Sequence, residues 1–261
     1  MKKFLQGSSS WCRSAQDFLS EMEKNDYAPA TITTYKLHLS RLVPLVNGKT
    51  IKDINGHDLN AAIKKLRKMY PGSYQRPSSV NLLKNCCKAF FKWKSSYCKS
   101  ENPAMFIRAR GGVISETMPI FPKEIQRLLE TIRTSEDFYK ERDEALFATY
   151  AYTGLRRAEA LTLRMANYQS EKALLKVVSK GGGSRWIPVI KPLKAILDRY
   201  LDNGNRQSKT WFLFTGRSNT RALSCRQANN RFVKWRKISS LPEYLTIHSP
   251  PVSEFMTQKQ E

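Results

Sequence analysis

Apolar residues in roughly the first hundred positions recur every three or four places, the period of helices packed on one face. "SAQDFLSEME" carries Phe18, Leu19 and Met22 at that spacing, behind a Ser-x-x-Asp start signal at Ser14–Asp17. "APATITTYKLHLSRLVPLV" predicts a second helix from Pro29, capped at Thr31, with Ile32, Tyr35, Leu39, Leu42 and Val43 in one stripe. "NGHDLNAAIKKLRKMY" predicts a third, ended by Pro71-Gly72. "SSVNLLKNCCKAFFKWKSSY" predicts a fourth, with Leu82, Leu83, Cys86, Phe90 and Trp93 on or near one side. The opposite faces carry Lys36, Arg41, Lys64, Lys65, Arg67, Lys84, Lys88, Lys92 and Lys94. The reading is an all-helical first domain over residues 1–103.

Pro, Gly-Gly and Ser then concentrate in a stretch read as a linker over 104–118. Helical patterning resumes at "FPKEIQRLLETIR", where Pro122 suits a first turn, and continues through "YKERDEALFATYAYTG". Gly154 reads as a helix stop, and "RAEALTLR" as a new helix. Arginine near that start points positive charge at the positive end of the helix dipole, a cost of about 0.3–1 kcal/mol. Such a cation fits where an anion is to be met. "EKALLKVVSK" and "RWIPVI" read as two short strands around the glycine turn "GGGS". "KPLKAILDRYLDN" reads as helix, "WFLF" as a short buried strand, and "SCRQANNRFVKWRKIS" as a basic amphipathic helix. The fold class is therefore mainly α with a small β-hairpin or sheet, in two domains.

Composition changes the picture in one respect. The 261 residues are 41% apolar, enough for a proper core. Lys and Arg number 45 against 22 Asp and Glu, a formal net charge of +23. That surplus points to a polyanion, DNA or RNA first, with helix faces pressed on a phosphate backbone. No segment is apolar enough to span a bilayer, and "MKKFLQGSSSWC" lacks the apolar run of a signal peptide. Cys12, Cys86, Cys87, Cys98 and Cys225 are odd in number and form no CxxC pair, which favours reduced intracellular thiols. With three scattered histidines a zinc site is disfavoured, and no Gly-rich nucleotide loop is present, so neither metal nor cofactor is expected.

In order, the basic helical front domain, "TGLRRAEALTLR", the hairpin "VSKGGGSRWIPVI" and "LTIHS" resemble the tyrosine recombinase (phage integrase) family, to about Ser249. The front domain, with "TITTYKLHLSRL" and "NPA", is similar to the family's core-binding domain. The family pattern T-G-L/M-R-x-x-E is matched by Thr153, Gly154, Leu155, Arg156 and Glu159. The family's hairpin lysine, with its following glycine, arginine and proline, is matched by Lys180, Gly181, Arg185 and Pro188. The resemblance implies in-line attack of a tyrosine hydroxyl on a DNA phosphodiester, giving a 3′-phosphotyrosine and a free 5′-hydroxyl. It implies Arg156 on the scissile phosphate, Lys180 as general acid, and His248 in the first slot of the family's H-x-x-R element. Arg157 and Arg185 become DNA-backbone contacts, with Lys36, Arg41, Lys84, Lys88 and Lys92 on the front domain. Glu159 either orients an arginine or caps the turn. The covalent link conserves the bond energy, so no metal, ATP or other cofactor is needed. The implied partners are double-stranded DNA and other recombinase protomers, in a bacterial or phage-encoded cytoplasmic protein, with no membrane.

The resemblance breaks at residue 251, where the expected second arginine is Pro251. The family's later His or Trp and its tyrosine are not found in "PVSEFMTQKQE", read as an aberrant tail over 250–261 behind a partial catalytic domain over 119–249. Tyr244 precedes the motif and Tyr200 sits in an apolar helix, so neither is favoured as nucleophile. The expectation is a truncated or frameshifted integrase, such as a prophage remnant, defective in catalysis. The alternative is a non-cleaving DNA-binding module that competes with a full-length integrase.

Overall fold

The computed structural model describes residues 10–46, 48–109, 118–179, 182–202, 212–216, 221–247 and 249. The chain divides into two compact units, Met1–Ile114 and Ser115–Glu261.

The first unit is helical: α1 (Ser10–Lys24), α2 (Pro29–Val46), α3 (Gly56–Met69), α4 (Pro71–Tyr74) and α5 (Pro77–Cys98). Its core joins Trp11, Phe18, Leu39, Leu59, Phe90 and Phe91, with the ring of Phe18 edge-on to Phe90 at 5.6 Å. One start signal is displaced by packing and one cap is not used. Burial of Trp11 and Ala15 extends α1 upstream, so Ser14 lies inside the helix and bonds the Ser10 carbonyl at 2.8 Å. Pro29 takes the first position of α2, which leaves Thr31 inside rather than at a cap. The third helix starts as its sequence indicates, with the Asn55 carboxamide oxygen accepting from the Asp58 amide at 3.0 Å. Pro71-Gly72 does end it, yet the same residues open the short α4, which buries Tyr74. Leu82, read as packed, is 43% exposed. Ala104 and Ile107, at the start of the stretch read as linker, belong to this core.

The second unit contains α6 (Pro122–Arg133), α7 (Lys140–Thr153), α8 (Arg157–Leu161), α9 (Lys191–Asp202) and α10 (Cys225–Ile238). A three-stranded antiparallel sheet, β1 (Tyr168–Gln169), β2 (Leu174–Val178) and β3 (Ser184–Pro188), runs in the order β1-β2-β3. β2 and β3 pair from Leu174↔Pro188 to Val178↔Ser184, the hairpin that "GGGS" foretells. β1 has no counterpart in the sequence reading; two residues leave no readable alternation. α8 is shorter than "RAEALTLR" suggests, because the chain turns at Thr162 and Arg164 then bridges Phe212. "WFLF" is correspondingly not a strand: Phe212 forms that isolated bridge, while Leu213 and Phe214 are fully buried. α7 is buried from Arg142 to Ala151, charged residues included, and forms the axis of the unit.

Candidate nucleic-acid interface

The turn after α7 sets the geometry. Gly154 adopts φ 62°, a left-handed conformation that glycine enters without a Cβ penalty, and its amide bonds the Tyr150 carbonyl at 3.1 Å. The chain reverses there. Leu155 is buried, and Arg156 follows in extended conformation (φ −62°, ψ 145°) as the residue capping α8. Arg156 thus stands just ahead of the helix, with its side chain 84% exposed.

Glu159 organises the corner. Its side chain is 7% exposed, and its Oε2 accepts the Arg156 backbone N–H at 3.0 Å. Both oxygens also accept from Arg185 of β3, Nη1 to Oε1 and Nη2 to Oε2, each at 3.1 Å. Arg156 Nη1 lies 3.6 Å from Oε1, an ion pair without a hydrogen bond. The two roles offered for Glu159 are therefore filled together: it caps the turn and holds an arginine. The Arg185 hydrogen bonds, followed by the Arg156 amide, hold its carboxyl below the usual carboxylate range despite burial. Ser179 completes the arrangement, its Oγ accepting from Arg185 Nη1 at 2.7 Å. Sequence reasoning passed over this serine; its position at the base of the hairpin, beside the lysine, was the available signal.

Arg156 and the base of the 180 hairpin therefore meet on one side of the unit, through one carboxylate. Lys180 and Gly181 lie outside the described residues, as do His248, Pro250 and the segment 251–261 with Pro251. The neighbours of His248 are described. Ile247 and Ser249 line a cavity of about 270 Å³ that Gly154, Leu155 and Arg156 also line. Arg157 opens α8 half-buried, its carbonyl accepting from the Tyr150 hydroxyl at 3.4 Å. Tyr200 is packed, as read, with its hydroxyl donating to the Leu213 carbonyl at 3.0 Å; Tyr244 is exposed.

On the first unit, Lys36, Lys88 and Lys92 are exposed. Lys84 is half-buried and donates to the Arg108 carbonyl at 2.9 Å. Arg41 departs from the exposed basic face assumed for it: its guanidinium lies over the Tyr70 ring at 4.3 Å from the centroid. Among the described residues, no three His, Cys, Asp or Glu side chains converge as metal ligands, and no helix is long and apolar enough to cross a membrane.

The second unit thus combines a helix-packed three-stranded antiparallel sheet with arginines gathered at one turn. The phage integrase family profile matches residues 120–250, and the chain belongs to that family, the tyrosine recombinases. The tyrosine recombinase XerA of Pyrococcus furiosus is 28% identical over 212 residues, covering 80% of this chain and 68% of its own length. XerC of Shewanella amazonensis is 26% identical over 238 residues, covering 89% and 76%. Among solved structures, a lambda integrase (75–356) dimer bound to a COC′ core site superposes with TM-score 0.70 at 14% identity, over 91% of this chain and 85% of the other. XerH recombinase on a palindromic difH substrate gives TM-score 0.68 at 16% identity, over 95% and 77%. At such identities the superpositions establish the fold: mainly helical, with a small antiparallel sheet.

Proposed function

We propose that this chain binds double-stranded DNA and holds one backbone phosphate against Arg156, as a site-specific recombinase does. One observation carries the reading: a guanidinium 84% exposed, fixed at its backbone by Glu159, with Arg185 on the same carboxylate. A planar fork in that position donates two hydrogen bonds to a phosphoryl group and keeps its charge as negative charge grows in the transition state. Lys180 follows Ser179, whose hydroxyl touches Arg185, which supports its role as the acid protonating the leaving 5′-oxygen. His248 falls between two residues that share a cavity with Arg156, which supports its place beside the same phosphate. Arg157 and Arg185, with Lys36, Lys84, Lys88 and Lys92 of the front domain, then contact the flanking backbone. In this reading residues 1–103 are the core-binding domain, 119–249 a partial catalytic domain, and the protein works on DNA in the cytoplasm beside other recombinase protomers.

Pro251 favours the finer version, in which cleavage is defective. It stands three residues after His248, where the family pattern has an arginine, and proline offers no donor to a phosphate. Binding without cleavage would let the chain compete with a full-length integrase at its sites. A nicked suicide duplex separates these outcomes. The expected result is a salt-sensitive gel shift with no covalent protein–DNA adduct. An adduct would overturn the defect and keep the recombinase; no binding to any duplex at low salt would overturn both.

A further inference from the structure

We propose that a cleft of about 660 Å³ on the second unit, among α6, α7 and α9, binds a phosphoryl oxyanion that also carries a hydroxyl proton. Inorganic phosphate is the simplest such ligand, and a hydroxyl-bearing phosphate ester the other source of the same chemistry. Four cations, Lys123, Arg127, Arg133 and Arg199, face two carboxylates, Glu130 and Glu144, around the cleft, so its lining favours an anion.

Glu144 supplies the selectivity. Its side chain is 3% exposed, and its Oε2 accepts from Arg199 Nη2 at 2.6 Å. Its Oε1 is buried without a hydrogen-bond partner; Arg133 Nε stands 3.5 Å away as an ion pair only. An ionised carboxylate can only accept, so that oxygen calls for an incoming donor, and leaving it unmatched is costly. Arg133 gives Nη2 to Glu130 at 2.7 Å and Arg199 one Nη to Glu144, so each guanidinium keeps further N–H groups for a ligand. The matching ligand presents acceptor oxygens to the arginines and one O–H to Glu144. Inorganic phosphate has both at neutral pH. Sulfate and a DNA phosphodiester have no proton to give, and the bare carboxylate oxygen repels them. The cleft is thus chemically unlike the Arg156 corner, whose open guanidinium suits a phosphodiester. Its volume falls in the range of small-molecule sites, and Leu129 and Ile196 give an organic ester an apolar wall.

Calorimetric titration of the full chain at pH 7 and matched ionic strength tests this, in an Arg156→Ala background that removes the other phosphate site. Phosphate is expected to bind at least about tenfold tighter than sulfate, which lacks the donor. Glu144→Gln replaces the bare acceptor by a carboxamide that also donates, so sulfate should enter and the ratio should fall to about twofold. Arg127→Ala, on the exposed face of α6, should weaken phosphate at least about fivefold with the fold intact, and serves if Glu144→Gln misfolds. Ribose 5-phosphate is the third arm: tighter binding than phosphate assigns the site to an ester, weaker binding to the free ion. Equal affinity for phosphate and sulfate, or phosphate affinity unchanged by these substitutions, means an adventitious ion only and overturns the proposal. The result is independent of DNA binding, which the gel shift reads separately.

Discussion

Asp143 and Glu159 are both buried carboxylates of the second unit, and each holds two arginines. At Asp143 every donor turns inward. Oδ1 accepts from Arg142 Nε at 3.0 Å and Nη2 at 2.7 Å; Oδ2 accepts from Arg231 Nε at 2.5 Å and Trp235 Nε1 at 2.8 Å. Arg142 goes on to the Thr215 carbonyl at 3.1 Å and Arg231 to Asp137 at 2.6 Å, with the Tyr139 ring beneath both guanidinium groups. That network ties α7, α10 and two loops into one body, with no cation left over. At Glu159 the carboxylate holds Arg185 by its side chain but Arg156 chiefly by its backbone, which leaves the Arg156 guanidinium in solvent. The same ion pair chemistry closes a structure in one place and presents a charge in the other. What separates them is whether the arginine is gripped at its head or at its root.

The contrast breaks most visibly at Asp143. Asp143→Asn leaves Arg142 buried without its countercharge and strips Arg231 of one of its two carboxylates, so unfolding free energy should fall by about 3–5 kcal/mol. Urea denaturation of the purified chain measures it. A loss below about 1 kcal/mol would mean that the network rearranges around the amide, and the distinction between closed and open corners would fail.

Arg156→Ala should do the reverse. Stability should change by no more than about 0.5 kcal/mol, because the exposed head touches nothing that folding needs. Affinity for duplex DNA should drop about tenfold, and the slope of log affinity against log salt should become shallower by about one. Arg156→Lys should recover little, since an ammonium cannot reproduce a two-pronged contact. Gel shifts over a salt series decide it; an unchanged slope would remove Arg156 from the interface.

How much of this was legible depended on how local the cause was. The Gly154 turn, the Arg156–Glu159 spacing and the glycine hairpin are short-range features, and all are visible as strings of residues. The Asp143 network was not: "YKERDEALFATYAYTG" shows only a helical pattern, and it is packing of α7 that turns its charges inward. Arg41 was read on a basic face from helical period alone, which says nothing of the Tyr70 ring that α3 delivers beneath it. The displaced start of α1 has the same origin, since a tertiary contact at Trp11 outranks a side-chain cap.

Glu159 sharpens the comparison through pH. Its folded pKa lies below its unfolded value, held down first by Arg185 and by the Arg156 amide against the opposing effect of burial. The unfolded chain therefore takes up its proton first. The contribution is fully present above the unfolded pKa and is lost as pH falls through the folded one. Thermal unfolding from about pH 6 down to about pH 3 should show the wild-type chain losing stability more steeply than Glu159→Gln, and parallel curves would count against the carboxylate as the organiser.

The smallest effect is expected at Ser179. Its hydroxyl accepts from Arg185 Nη1 at a partly exposed position, a hydrogen bond worth about 0.5–1.5 kcal/mol at most. Removing it leaves both Glu159 contacts in place, so Ser179→Ala should leave the melting temperature nearly unchanged. Arg185 would still be gripped by the carboxylate but would lose the tether to the base of the hairpin that carries Lys180. DNA affinity should therefore fall by about two- to fivefold, with the salt slope unchanged, because no charge has been removed. A shallower slope in this variant would mean that Arg185 had swung away from the phosphate, and that its grip comes from the hairpin hydroxyl more than from Glu159.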